Sequence, residues 1–519
     1  MLKEDLKSLS KTDITDILCC CLLIAGILYS PFLFTVALIF MVIRILFIGN
    51  GHENLQKLKN NILVTICLLS VYILNLAGML WSSNIKEGLF ELNHKLPFLI
   101  LPLFFLVTKN IKDISLNIII KFYVTAITVG IIIGLINYII HPYADTRLLI
   151  PHARNISFAL NICFASFILI IHGIRNNKIL TYLPLVLLFI AYIFVAQLLS
   201  GIITLLIIFF VFFIILLKKK NKVLSVCSSL FFLIVFTVCI VWTYKQYNEY
   251  FTPKEDFYTV SSIKTEYGNP YRKAQDKSIE NGYYVSKYQC PDEVNAAWKE
   301  RTGLDIMDYC IDKEGKNHYH YYDVIYRYLN SKGLKKDRKG VMALNDSDIE
   351  NIKKGYSNYV YAEHFSLRPR LYQTFYEFER YIRTGEIEEM SLIQRYFWSK
   401  NAINIISNNL IIGTGTGDTK DALTAPVIIN HPELCSTNCN PHNQFIYTTA
   451  ALGLMGLVIM IIYILYLPIR LKLFKNKYFI AFFVTAICWM FTESSFESYE
   501  GMTFISALMS FFCFNCTRN

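Results

Sequence analysis

Apolar stretches long enough to cross a bilayer recur along this 519-residue chain, and they limit its fold more than any other feature. Crossing the hydrocarbon as a helix takes about 20 apolar residues. A helix or a closed barrel is required there, because no water is present to satisfy backbone polar groups. About twelve runs are legible, roughly at 15–29, 32–48, 62–80, 94–108, 116–140, 156–173, 179–197, 200–217, 223–243, 443–468, 478–492 and 501–516. The first two are split only by Ser30-Pro31, and the seventh and eighth only by Ser200-Gly201. No small-residue cleavage site lies between the first two runs, so a cleaved signal peptide is not expected. The expected fold is an all-α polytopic membrane protein with about 12 transmembrane helices.

Basic residues give the orientation. With Lys3, Lys7 and Lys11 placed in the cytoplasm, the inside connections hold Arg44, Lys57, Lys59, Lys109, Lys112, Arg175, Lys178, Lys218, Lys219, Lys220, Lys222, Arg470, Lys472, Lys475, Lys477 and Arg518. The short outside connections hold only Lys86, Lys95, Arg147 and Arg154. A bias of roughly five to one sets the topology under the positive-inside rule. The net charge of +11 is mostly this signal. It does not form a basic stripe on a soluble face, so nucleic acid is not an expected partner. Three parts follow: 1–243, an N-terminal membrane domain of about nine spans; 244–442, an extracytoplasmic loop with a folded insertion at about 250–391; and 443–519, a C-terminal membrane domain of about three spans.

Within the insertion, Ser347-Asp-Ile-Glu350 has the spacing of a capping box. Pro291 opens a short helix over Asp292–Glu300, and Arg370–Arg383 alternates aromatic and charged residues at helical spacing. The segment holds most of the 34 tyrosines. Sugar rings stack on such aromatics, but tyrosine also packs well at half-buried positions in general. Four of the fourteen cysteines, Cys290, Cys310, Cys435 and Cys439, lie outside the spans on the oxidising side. Cys290–Cys310 and Cys435–Cys439 are expected disulfides; a zinc site is the alternative, without the tight Cys-x-x-Cys spacing that favours one.

An enzyme acting on a lipid-linked substrate needs its reactive groups where the head group sits, at the outer mouths of spans. Four places qualify. Asn440-Pro441-His442 reads as a helix cap, a first helical position and a histidine in the first turn of the tenth span. There the positive end of the helix dipole favours a neutral imidazole, which can serve as a general base; a plain polar cap is the alternative. Arg395, in Arg395-Tyr-Phe-Trp398 ahead of a helical run from Ala402 to Leu410, can hold a pyrophosphate through paired hydrogen bonds or simply reach phospholipid heads. Gly413-Thr-Gly-Thr-Gly417 lacks the Gly-Lys-Ser/Thr ending of a phosphate-binding loop and reads as a glycine-dependent turn. Glu493, Glu497 and Glu500 stand between the last two spans, where they would orient His442, pair with Arg395 or line a solvated loop.

These motifs, in this order, resemble the bacterial O-antigen ligase superfamily, which also includes O-antigen polymerases and protein O-oligosaccharyltransferases. His442-Asn443, nine further residues, then Gly453-Leu-Met-Gly456 matches the family's most specific pattern. Arg395 to Trp398, Asn401-Ala402 and Leu410 to Gly415 look like its upstream approach; Glu493-Ser494 with Gly501-Met502 looks like its ending. The resemblance implies a GT-C-like architecture in the bacterial inner membrane, with the site facing the periplasm. It implies a metal-independent, inverting transfer that needs no cofactor. His442 would be the general base, with Asn443 and Glu493 in support. The donor would be a glycan on undecaprenyl pyrophosphate held by Arg395, and the acceptor the lipid A core, another glycan or a protein. Relatives often carry Ser-Arg where this chain has Ser200-Gly201; Arg154 or Arg147 would then supply the second cation. A twelve-span transporter is the non-enzymatic alternative. It would show repeats between halves and polar residues near mid-membrane, whereas this chain shows no repeat and gathers its polar candidates at one face.

Overall fold

The computed structural model describes residues 9–48, 51–108, 111–140, 149–150, 154–220, 222–257, 264–274, 276–311, 317–363, 366–388, 390–430, 434 and 439–515. These are mostly helical. Before the insertion come α1 (Lys11–Tyr29), α2 (Pro31–Phe47), α3 (Gly51–Asn60), α4 (Ile62–Gly78), α5 (Ile85–His94), α6 (Pro97–Val107), α7 (Asp113–Ile140), α8 (Asn155–Arg175), α9 (Ile179–Val195), α10 (Leu199–Lys220) and α11 (Lys222–Phe251). The insertion contains α12 (Pro291–Thr302), α13 (Tyr321–Ser331), α14 (Arg338–Met342) and α15 (Asp346–Lys353). It also has two antiparallel pairs, β1 (Ile279–Glu280) with β2 (Tyr283–Tyr284) and β3 (Tyr309–Ile311) with β4 (Asn317–His320). Then follow α16 (Arg368–Thr384), α17 (Ser391–Asn408), α18 (Thr419–Asn430), α19 (Gln444–Ile461), α20 (Leu467–Arg470), α21 (Lys477–Thr492) and α22 (Tyr499–Asn515).

Seven stretches among the described residues are long and apolar enough to cross a membrane: Lys11–Tyr29, Ile62–Trp81, Ile85–Val107, Asp113–Ile140, Asn155–Arg175, Leu230–Phe251 and Gln444–Arg470. Counting α2 and α3 as one bent span makes eight. The protein is therefore an all-α chain with helices suited to multiple membrane passes. Ile179–Val195 and Lys477–Thr492 are apolar but shorter; at 1.5 Å per residue each reaches about 25 Å, less than the hydrocarbon thickness.

Local chemistry sets the boundaries. Ser30 ends α1 and caps α2, with Pro31 at the first helical position. The break between α9 and α10 is not at Ser200-Gly201. It falls at Ala196–Leu198, where Gln197 takes a positive φ of 52°. Gly201 sits inside α10, where a Cβ would stand 3.1 Å from Ala159 of α8; it is a packing glycine and not a hinge. The membrane core gathers Phe98 and Phe104 of α6, Phe158 and Phe167 of α8, Trp489 of α21 and Ile505 of α22. α8 is the most enclosed of the seven spans, and α11 stands almost wholly exposed.

The insertion has its own core around Trp298, Ile325, Tyr328, Leu329 and Ile352. Tyr321, Tyr326, Tyr328 and Tyr372 are buried in it or beside it, while Tyr267, Tyr309, Tyr319 and Tyr322 remain outside. The capping box at its last small helix is Asn345 with Asp348, two residues before the Ser347–Glu350 pair. Asn is as good an N-cap as Ser, and here it comes first. Cys290 and Cys310 do not form the expected disulfide. Cys290 lies at the start of α12 and Cys310 on β3 with its Sγ 3.8 Å from the Ile352 carbonyl, and burial pushes the Cys310 thiol up to about 11. Cys435, and with it the Cys435–Cys439 pairing, lies outside the described residues.

Candidate functional site

Three separate elements meet at one mouth of the bundle. α17 carries Arg395 and Trp398, the turn before α19 carries His442, and Glu493 caps the end of α21 in an extended conformation. His442 is not in the first turn of the helix. α19 starts at Gln444 and its cap is Asn443, whose side chain accepts from the Ile446 N–H at 3.1 Å. Asn440-Pro441 mimics a cap sequence but precedes the helix by one turn of loop. The helix-dipole argument for a neutral His442 therefore does not apply. What fixes the imidazole is direct contact.

Glu493 joins the histidine to the arginine. Its Oε2 lies 2.6 Å from His442 Nδ1 and its Oε1 2.9 Å from Arg395 Nη2. Arg395 Nη1 also donates to the Thr492 carbonyl at 3.3 Å. An ionised carboxylate only accepts, so Nδ1 carries the hydrogen, and in the neutral imidazole the lone pair is then on Nε2. Trp398 stacks on the imidazole with ring centroids 5.6 Å apart and planes inclined by 27°. The backbone of the turn is held as well. His442 has φ 50°, its N–H donates to Asn440 Oδ1 at 2.9 Å, and that same oxygen accepts from Ser494 Oγ at 2.5 Å. Ser399 Oγ donates to the Pro441 carbonyl at 3.0 Å. Positive φ at a histidine is an uncommon, costly state that persists where surroundings over-determine it.

Burial alone would raise the Glu493 carboxyl. The hydrogen bond and charge of His442, and then Arg395, outweigh it and hold the carboxyl below the usual glutamate range. All three groups are partly open, at 22–30% of side-chain exposure, so they can meet a substrate.

The glycine turn lies against α19. That helix breaks at Gly453, with φ 63° and ψ −160°. The break frees two helical pairs, Leu454 N–H with Ala450 C=O and Met455 N–H with Ala451 C=O. All four groups are re-satisfied by the loop after α17: Leu454 and Met455 donate to the carbonyls of Leu410 and Ile411 at 2.8 and 3.3 Å, while Thr414 and Gly415 donate to those of Ala450 and Ala451 at 3.1 and 2.8 Å. A Cβ on Gly453 would fall 2.2 Å from the Ile411 oxygen, and one on Gly413 2.4 Å from the Ala451 oxygen. Both glycines of the two sequence motifs therefore serve one joint, which fixes α17 beside the first half of α19.

The other carboxylates have other partners. Glu497 pairs with Lys95 at 2.7 Å, and Lys95 with Glu91 at 3.2 Å; Lys420 continues the chain to Glu91 at 3.0 Å and Glu87 at 2.6 Å. Sequence reasoning gave Lys95 and Lys420 no role. For Lys95 the available signal was its place at the edge of an apolar run. Arg154 faces Glu500 at 3.4 Å and the Tyr499 ring at 5.9 Å, and is 63% exposed. Among the described residues no hydrogen bond or ion pair joins it to His442, Glu493 or Arg395. Arg147 lies outside the described residues. No family model matches this chain, and no curated protein matches it.

Chemically, the cluster offers an oriented imidazole with a basic nitrogen outward, a carboxylate that stabilises an imidazolium, and a guanidinium with donors still turned away from Glu493. It suits removal of a proton from a hydroxyl beside a phosphate-bearing leaving group.

Proposed function

We propose that this protein is a membrane glycosyltransferase of the O-antigen ligase type, with about twelve spans in the bacterial inner membrane and its site on the periplasmic face. It moves a glycan from undecaprenyl pyrophosphate to an acceptor hydroxyl, that of the lipid A core. The observation that carries this reading is the His442–Glu493–Arg395 cluster at the mouth of the span Gln444–Arg470. His442 Nε2 takes the proton of the acceptor hydroxyl as its oxygen attacks the anomeric carbon, and Glu493 stabilises the imidazolium that forms. The bond to the pyrophosphate oxygen breaks on the opposite face, so configuration inverts. Arg395 neutralises the leaving pyrophosphate in place of a metal. Arg154 stands in the second cation role only if it leaves Glu500. A polymerase or a protein O-oligosaccharyltransferase would use the same base and clamp with a different acceptor.

The test is transfer from a purified undecaprenyl-pyrophosphate glycan, with lipid A core, glycan and protein acceptors offered in parallel. His442→Ala and His442→Gln should lower turnover by about 10²–10⁴-fold while donor binding stays near normal. Arg395→Ala should weaken donor binding and turnover together. A fully active His442→Gln removes the base and with it this mechanism; transfer to glycan or protein in place of lipid A core selects one of the other two acceptors.

A further inference from the structure

The loop between α17 and α18 raises a question that the reaction does not answer. Its tip, Leu410-Ile411-Ile412, is apolar and open, with Ile411 68% exposed. It belongs to the segment that hydropathy places wholly outside the membrane. Yet its backbone is bonded into α19 at Gly453, nine residues inside a stretch that can cross the membrane. Nine helical residues correspond to about 14 Å along the axis. The residues of α19 bonded to the tip, Leu454 and Met455, and Val458 one turn on, are themselves exposed apolar side chains of that span.

We propose that the hairpin formed by α17, this tip and α18 is re-entrant: Leu410, Ile411 and Ile412 sit among the acyl chains of the leaflet on the His442 side. Three observations converge on lipid hydrocarbon as the occupant. The tip is continuous with the outward face of a membrane span. In the non-helical backbone here, which bare lipid would not tolerate, the Leu410 and Ile411 carbonyls of the tip and the Thr414 and Gly415 N–H groups just after it are taken up by the groups that the Gly453 break releases. The two glycines that make the close approach possible have no room for a Cβ, so the tip cannot lift away as a free surface loop without losing four hydrogen bonds. Arg395 stands in the second turn of the same α17, so one helix runs from the leaflet to the charged cluster.

The full chain, reconstituted in phosphatidylcholine vesicles, tests this with a nitroxide at Ile411→Cys. The parent chain is labelled in parallel to subtract native thiols, and Val458→Cys and Tyr267→Cys serve as span and insertion references. Collision with oxygen should exceed collision with a water-soluble nickel chelate at position 411, as at 458 and opposite to 267. Dominance of the nickel chelate at 411 overturns the proposal by showing water there. Protection from both reagents overturns it by showing a protein contact, such as a second copy. The side chain at 411 is open, so the variant should keep its helicity and elution volume; were it to unfold, the same measurement at Leu410→Cys decides. No activity is read, so the result stands apart from the fate of the glycosyl-transfer proposal.

Discussion

Glu493 is the residue on which the site turns, because it bonds both the imidazole and the guanidinium. Glu493→Gln keeps the size and loses the charge. It should cut turnover in the transfer assay more than donor affinity, since the imidazolium loses its counter-charge only as the proton moves. Stability gives an independent readout. The carboxyl is held below its ordinary value, about 4.3, so its contribution is present above that pH and is lost as pH falls through the lower native value. Wild type should therefore melt above Glu493→Gln at neutral pH, and the gap should close as pH drops below about 4. A gap that stays constant down to pH 3 would mean that the charge does no stabilising. The histidine was legible in the sequence because a span needs no imidazole at its mouth. Its carboxylate partner was visible only as one of three acids fifty-odd residues away. The cap was misread because Asn440-Pro441 carries the stronger local signal, whereas the turn at His442 is held by an Asn440 side chain that Ser494 fixes and by Trp398 stacked on the ring, and Ser494 and Trp398 arrive only in the folded chain.

At the level of elements, the joint between the α17–α18 loop and broken α19 holds the site in register. Gly453→Ala forces a Cβ toward the Ile411 carbonyl at a φ that L residues rarely adopt, and should cost on the order of 1–3 kcal/mol in strain before any clash. Gly413→Ala should cost a similar amount at the facing backbone. Because both act on one joint, the double variant should lose less than the sum. Melting of the three variants in detergent checks this; strict additivity would mean that the two glycines act separately. Asn443→Ala should cost about 1 kcal/mol as a lost cap, with Asn440→Ala acting on the His442 turn and so on turnover. The glycine turn at 413–417 could be read from sequence as a turn. That it repairs a helix break forty residues later could not, since nothing in periodicity marks which carbonyls a break will free. The break after α9 was misplaced for a related reason: the backbone turns at Gln197, where hydropathy does not change, and not at Ser200-Gly201.

Over the whole molecule, charges sort into two ends. At one, Lys112 meets Asp13 at 2.7 Å, Arg44 meets Asp16 at 2.6 Å and Lys57 donates to the Val107 carbonyl at 2.8 Å. At the other, Lys95, Arg154, Arg395 and Lys420 pair with Glu497, Glu500, Glu493 and Glu87. Residues that basic-residue bias assigns to one side thus find partners from that side, through helices far apart in sequence. α8 links the two ends directly, with Arg154 before its first residue and Arg175 at its last, about 31 Å apart along the axis. If the end with Arg44 and Lys112 is cytoplasmic, then Lys178, just past α8, lies inside, and Tyr267 of the insertion lies outside with the His442 cluster. Cells carrying Tyr267→Cys should react with a membrane-impermeant maleimide that reaches the periplasm. Cells carrying Lys178→Cys should react only after the inner membrane is opened. Both side chains are exposed, so access and not burial decides the result. The opposite pattern would put His442, Glu493 and Arg395 in the cytoplasm, where no glycan waits on the outward face of undecaprenyl pyrophosphate, and the proposed donor would have to be abandoned even with the cluster intact.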